Sequence, residues 1–189
     1  MGECTVVYDA CVLYPAPLRD LLMHLALAGL YRARWTDRIH DEWMENLLRN
    51  RPDLQPEQLE RTRFLMNAHA PDCLITGYEA LIGRLELPDS DDRHVLAAAI
   101  HGNASAIVTF NVDDFPPSCL DPFGIEPLHP DDFIRRLLDL DAPAVLRAAR
   151  RHRASLKNPP KDVHAYLEAL ARQLLPETVA RLRTFDELI

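Results

Sequence analysis

The chain has 189 residues, of which 48% are hydrophobic and 26% charged, with a net charge of −8 at pH 7. That length and balance fit one well-packed globular domain with an appendage and exclude a disordered chain. No run approaches the roughly 18 apolar residues of a membrane span, since the most apolar segment, Leu21 to Tyr31, is broken by His24.

Charge is unevenly placed. Residues 127–189 hold 11 Lys+Arg against 9 Asp+Glu, a net +2, which leaves −10 for residues 1–126. Lys157 and Lys161 are the two lysines of the sequence, so arginine supplies nearly all the positive charge. The start, MGECTVVYDA, has an acid where a secretory signal carries basic residues, and Cys4, Cys11, Cys73 and Cys119 lack CxxC or metal-ligand spacing. Both features lead us to expect reduced thiols in a cytoplasmic protein.

In chain order, Thr5 to Tyr8 has the β-branched and aromatic content of a strand that ends at Asp9. Arg19 to Ala28 is a helix stopped by Gly29, and Tyr31 to Trp35 a short second strand. Thr36 N-caps a helix from Asp37 to about Arg49, with Ile39, Trp43 and Leu47 inward and Glu42 in its second turn. His40 reads as a core or surface residue, because no HExxH spacing supports zinc. Helices over Glu57 to Ala70 and strand-like residues Cys73 to Thr76 lead to the central stretch, Pro88 to Pro116.

There, Asp89 stands at an N-cap position, with Asp91 and Asp92 in the first turn of a helix running from about Asp89 to His101. Gly102-Asn103 stops it, Ala106 to Phe110 is a buried strand, and Asn111, Asp113 and Asp114 follow at its carboxyl end. In an open α/β sheet, helix N-termini and the carboxyl ends of parallel strands share one edge, where ligands bind. That geometry brings Asp89, Asp91 and Asp92 towards Asn111, Asp113 and Asp114, with Asp9 facing and Glu42 able to reach the same edge, and carboxylates crowded together call for a hard divalent cation. The plainer account of each acid is a cap, a turn former or a solvated helix face. Gly124 to Leu128 suits an edge strand, and helices open at Pro130, Pro143, Pro160 and Pro176.

Asp9 ending a strand, Thr36 with Glu42, Asp89-Ser90-Asp91-Asp92, and Thr109-Phe110-Asn111-Val112-Asp113-Asp114-Phe115 together resemble the PIN-domain ribonucleases, and among them the VapC toxins of bacterial toxin–antitoxin pairs. The resemblance covers roughly residues 4–128, and the tail from Leu156 to Thr178 is similar to an extension on some VapC-like proteins. It implies an α/β fold with a parallel sheet flanked by helices, a nuclease domain at 1–128 and a C-terminal helical extension at 129–189. It also implies Mg²⁺ or Mn²⁺ dependence, endonucleolytic cleavage of tRNA or mRNA, and a cognate antitoxin, and it admits a homodimer. The family's acidic quartet falls on Asp9, Glu42, Asp92 and either Asn111 or Asp114. Many members carry Asn two residues after the first Asp, where this chain has Cys11, and the T-x-D position is Asn111 here.

An acidic pocket repels RNA, so positive charge elsewhere must attract it. The candidates are Arg147, Arg150, Arg151, Arg153 and Lys157, which could equally form a solvated helix face or a dock for an acidic antitoxin segment. An aspartyl-phosphate site is disfavoured, because lysines lie only at 157 and 161 and Asp9-Ala10-Cys11 lacks a DxD pair. A catalytically inactive PIN-like module, binding RNA or protein, is the alternative that Cys11 and Asn111 favour.

Overall fold

The computed structural model describes residues 4–70 and 72–189, so the acid at position 3 lies outside the described residues. The elements are β1 (Thr5–Tyr8), α1 (Ala10–Leu13), α2 (Ala16–Leu27), β2 (Arg32–Arg34), α3 (Asp37–Asn50), α4 (Pro56–His69), α5 (Glu79–Ile82), α6 (Arg93–His101), β3 (Ala106–Val108), α7 (Pro117–Leu120), β4 (Glu126–Leu128), α8 (Pro130–Ser155), α9 (Val163–Ala171) and α10 (Pro176–Arg183). The chain divides into two compact units, Met1–Tyr14 with Tyr31–His129, and Pro15–Leu30 with Pro130–Ile189.

The first unit is built on a four-stranded, all-parallel sheet of order β2-β1-β3-β4, with Val6 opposite Ala33 on one side and Ala106 on the other. Parallel strands covered on both faces read as continuous apolar runs, and Val6, Val7, Tyr8, Ile107 and Val108 are fully buried. From β1 the chain crosses to β2 on one side, while β3 lies on the other, so the order reverses between β1 and β3. Ligands in open α/β sheets bind outside the strand ends at such a point. Ala97, Ala98 and Ala99 are completely buried, and their small side chains let α6 lie close to its neighbours. At its end a Cβ on Gly102 would come within 2.8 Å of Ile75 Cδ1 and 3.0 Å of Ala98 O, so the close approach itself requires glycine. The left-handed turn is made by the next residue, Asn103, with φ 50°.

Several expected boundaries move. The helix expected from Asp89 begins at Arg93, because the Asp89 carboxylate accepts the Asp91 N–H (2.8 Å) and closes a turn instead of capping a helix. The Cys73 to Thr76 strand reduces to one parallel bridge between Trp35 and Leu74. His40 is a core residue. Trp43 Nε1 donates to its Nδ1 (3.0 Å), which leaves Nε2 to donate to Asn67 Oδ1 (3.0 Å), and burial lowers its pKa.

The second unit packs α2 with α8, α9 and α10, and the sequence alone does not join residues 16–27 to the tail. α8 has two arms. Asp141 leaves the helical region (φ −150°, ψ 76°) and accepts the Ala144 N–H (2.9 Å), so it caps the second arm that Pro143 opens. Asp131, buried on the first arm, accepts the N–H groups of Glu177 (2.9 Å) and Thr178 (2.8 Å) and thereby caps the start of α10.

Inside this unit His152 is buried, stacked on His24 (centroids 5.3 Å apart), with Nδ1 3.1 Å from the Tyr166 hydroxyl and Nε2 without a hydrogen-bond partner. Burial first, then the neighbouring His24, push its pKa down to about 4. The unfolded chain takes up a proton near pH 6.5 and the folded one only near 4, so stability falls as the pH drops between those values. The loss should reach about 3 kcal/mol at roughly 1.4 kcal/mol per pKa unit. Urea unfolding at pH 7 and pH 4.5 measures it, and His152→Leu should flatten the dependence. An equally steep dependence in that variant would assign the acid sensitivity to other groups.

Candidate active site

Asp9 follows β1 and occupies the N-cap of α1, yet its side chain makes no cap hydrogen bond. Instead Oδ2 accepts from Thr109 Oγ1 (2.7 Å) and from Cys11 Sγ (3.0 Å). Thr109, fully buried after β3, also accepts the Asn111 N–H at Oγ1 (3.0 Å), and Cys11 Sγ accepts the Phe110 N–H (3.3 Å). The ends of β1 and β3 are thus tied together at the reversal point of the sheet. Burial and then the Asp9 charge push the Cys11 thiol pKa up, so sulfur keeps its proton and serves Asp9 as a donor. Thr109 is a supporting residue that the search for carboxylates passed over, although it lies within the motif 109–115.

Glu42 projects from α3 and is one-third exposed. Its Oε1 receives Arg38 Nε (3.2 Å) and His94 Nε2 (2.9 Å). His94 is 1% exposed and its Nδ1 has no partner. Sequence reasoning missed this histidine, because it sits in an Ala-rich apolar run and reads as core. The available signal was its place two residues after Asp92, at the start of the helix that carries the acid.

Asp92 is the N-cap residue of α6, and its carboxylate does not cap the helix. The account of these acids as caps therefore fails at both Asp9 and Asp92. Asp9, Cys11, Glu42, Asp92 and Asn111 line one open cleft of ≈ 540 Å³. Asp114 lies in a single 3₁₀ turn at Val112–Asp114 and does not line the cleft, but its charge acts on Asp92. Burial is the largest cause of the Asp92 carboxyl being raised to about 7, followed by the charges of Asp9, Asp89, Asp114 and Glu42. Repulsion of that kind is relieved by protonation or by a cation.

Among the described residues no three His, Cys, Asp or Glu side chains form a ready-made metal cage. The oxygen donors around Asp92 suit a small hard cation nonetheless, since such ions keep several waters and take only one or two carboxylates directly. A soft-metal site would need thiolates, and Cys11 stays protonated.

Residues 5–113 match the family model described as PIN domain. The chain belongs to the PIN-domain family. Residues 130–184 match a second family model, described as VapC50 C-terminal domain. A curated protein of Mycobacterium tuberculosis (strain H37Rv), named "Putative ribonuclease VapC50", is 39% identical over 118 residues, which are 60% of this chain and 69% of that protein. The similarity makes this PIN-domain protein VapC-like. No solved structure matches it. Its parallel sheet with flanking helices agrees with the fold expected from the sequence.

The basic residues expected to attract RNA divide in the structure. Arg153 donates to the carbonyls of Ile189 (3.2 Å) and Lys161 (2.9 Å), so its guanidinium holds the C-terminal residue and a loop in place. Lys157 lies in a turn bridged to Pro160. Arg147, Arg150 and Arg151 are exposed on α8. Among the described residues no helix is long and apolar enough to cross a membrane.

Proposed function

We propose that this chain is a divalent-metal-dependent endoribonuclease of the VapC type, acting as the toxin of a toxin–antitoxin pair in the cytoplasm. The observation that carries the reading is the collection of Asp9, Glu42, Asp92 and Asn111 on one cleft at the sheet's reversal point, with Asp92 raised by the surrounding carboxylates. Asp9 and Asp92 are the principal ligands of Mg²⁺ or Mn²⁺, Glu42 completes the set or orients the attacking water, and Asn111 or Asp114 serves at the fourth position. When bound, the cation supplies charge relief at the phosphoryl oxygens and lowers the pKa of water.

The chain's own residues prepare this arrangement. Thr109 and Cys11 both donate to Asp9 Oδ2, which fixes the carboxylate without neutralising it. His94 and Arg38 hold Glu42 from two sides, the second as a cation that offsets part of its charge. Fixed ligands lose no conformational freedom when the cation or substrate arrives. Residues 1–128 carry the nuclease chemistry in this reading and residues 129–189 form an extension. The partners are tRNA or mRNA, a cognate antitoxin and a second copy of the chain.

The test is incubation of purified, antitoxin-free protein with total tRNA and with mRNA in Mg²⁺ or Mn²⁺, with and without EDTA. Cleavage that appears with metal and stops with EDTA is the expected result. Folded protein that binds Mn²⁺ poorly and cuts neither RNA would instead identify an inactive PIN-like binding module, the role that Cys11 and Asn111 would suit.

A further inference from the structure

The two arms of α8 differ in how their exposed arginines are paired. On the first arm Arg135 pairs with Asp132 and with Asp139 (3.5 Å each), and Asp139 also pairs with Arg181 of α10. Helix-surface arginines with acids three or four residues away are ordinary, mutually neutralised surface. The second arm departs from that pattern. Arg147, Arg150 and Arg151 stand at i, i+3 and i+4, so they share one helix face, and all three are exposed. Among the described residues none forms an ion pair or hydrogen bond with their side chains. The remaining positions along that face are Pro143, Ala154 and Ser155, while Ala144, Val145, Leu146, Ala148, Ala149 and His152 turn inward.

Like charges one helical turn apart repel each other. A ridge of three such charges with no acid paired to it, and none three or four residues away along the helix, leaves positive potential on the surface of a protein whose net charge is −8. We infer that Arg147, Arg150 and Arg151 form a binding ridge for the phosphate backbone of single-stranded RNA. This inference rests on the endoribonuclease reading only in taking RNA as the ligand.

Two features favour RNA over an acidic protein segment. Protein interfaces draw their affinity from buried aromatic or aliphatic anchors, and this face carries no aromatic or long aliphatic side chain, Pro143 and Ala154 being its apolar positions. Phosphate contacts need no such anchor, and guanidinium groups bind phosphate oxygens in a bidentate, geometrically fixed way. The ridge also supplies what the cleft lacks, because residues 1–126 carry a net −10 and repel a polyanion. Arg153 and Lys157 drop out of the earlier group of candidates. The first is committed to two backbone oxygens, and the second, though exposed, lies in a turn beyond the end of α8 and so off the ridge.

The experiment measures binding of a fluorescent oligouridylate by anisotropy in EDTA, which keeps the RNA intact, over a salt series from about 50 to 200 mM. Wild-type protein is compared with R147E/R150E/R151E and with the milder R147Q/R150Q/R151Q, and circular dichroism confirms that each folds. We expect at least a tenfold loss of affinity for the Glu variant at low salt and a smaller loss for the Gln variant. The slope of log K against log salt should fall by about 2, since each single-strand phosphate contact contributes about 0.7. Unchanged affinity and slope would overturn the inference, as would wild-type protein that does not bind the RNA. Unchanged RNA binding with loss of binding to an acidic partner protein would also overturn it and reassign the ridge. Cleavage of the same RNA by wild type in Mn²⁺ is read separately, so failure of the ridge and failure of the nuclease reading are distinguishable.

Discussion

Replacing Asp92 with Asn is expected to slow RNA cleavage by about 10²–10³ while making the metal-free protein more stable at pH 7. The Asp92 carboxyl is raised to about 7, first by burial and then by the charges of Asp9, Asp89, Asp114 and Glu42. An acid whose pKa is higher in the folded state stabilises the fold while protonated, and that contribution is lost as the pH rises from about 4 towards 7. At neutral pH, without a cation, half-ionised Asp92 therefore weakens the fold. Asn keeps the shape and removes the charge. Asp92 is part-exposed, so solvent screening cuts the electrostatic gain to about 1–2 kcal/mol. The same substitution removes a principal ligand, and loss of one preorganised electrostatic group costs about 10²–10³ in rate. Calorimetry in EDTA at pH 4 and pH 7 should show the variant's advantage at pH 7 and little of it at pH 4, where the carboxyl is protonated in the fold and only about half ionised in the unfolded chain. Added Mn²⁺ should then raise the melting temperature of wild type more than that of the variant, because a ligand that binds only the folded state stabilises it. A variant that cuts RNA as fast as wild type would remove Asp92 from the site, and one without the pH 7 advantage would show that the acids do not repel one another.

The acids were legible in the sequence for a topological reason. Strand, helix and strand periodicities around Asp9 and Asp92 imply parallel βαβ units, and these place strand ends and helix starts on one edge. The tertiary partners of those acids were not legible. His94 lies in RHVLAAAI, where burial is the natural expectation, and burial is what it has. Only the tertiary fold, which brings Glu42 of α3 to the start of α6, sets its Nε2 against that carboxylate. Local competition moved the helix start: Asp89 has the composition of an N-cap, but its carboxylate is used by the Asp91 N–H. Exposure on α4 was equally hidden, since Phe64 is 69% and Leu65 40% exposed while Leu59 and Met66 are buried. Charge counting grouped Arg153 with its neighbours, whereas the fold uses it to bind carbonyls. Pattern reasoning thus recovers which face an element presents and loses which side chain on that face has found a partner.

His94 is where that lost information has the largest expected consequence for activity. Carboxylate oxygens only accept, so the ring must carry its proton on Nε2 to bond Glu42 Oε1 at 2.9 Å. Nδ1 is then a buried ring nitrogen without a hydrogen-bond partner among the described residues, a cost of about 1–3 kcal/mol that a purely structural residue would avoid. The arrangement makes sense if His94 holds Glu42 in position from the helix that Asp92 begins, which makes it a positioning residue. Groups that orient a metal ligand typically affect metal affinity or activity by about 10- to 100-fold. His94→Ala should therefore lower kcat and Mn²⁺ affinity within that range and leave KM for RNA nearly unchanged. His94→Gln, whose amide N–H reaches about as far as Nε2, should recover much of the loss, and the shorter His94→Asn should recover little. Arg38 touches Glu42 from the exposed side and Arg38→Ala should cost less. Isothermal titration with Mn²⁺ and single-turnover cleavage check the series together. Packing alone would predict lower melting temperatures with unchanged Mn²⁺ affinity, and no advantage of Gln over Ala.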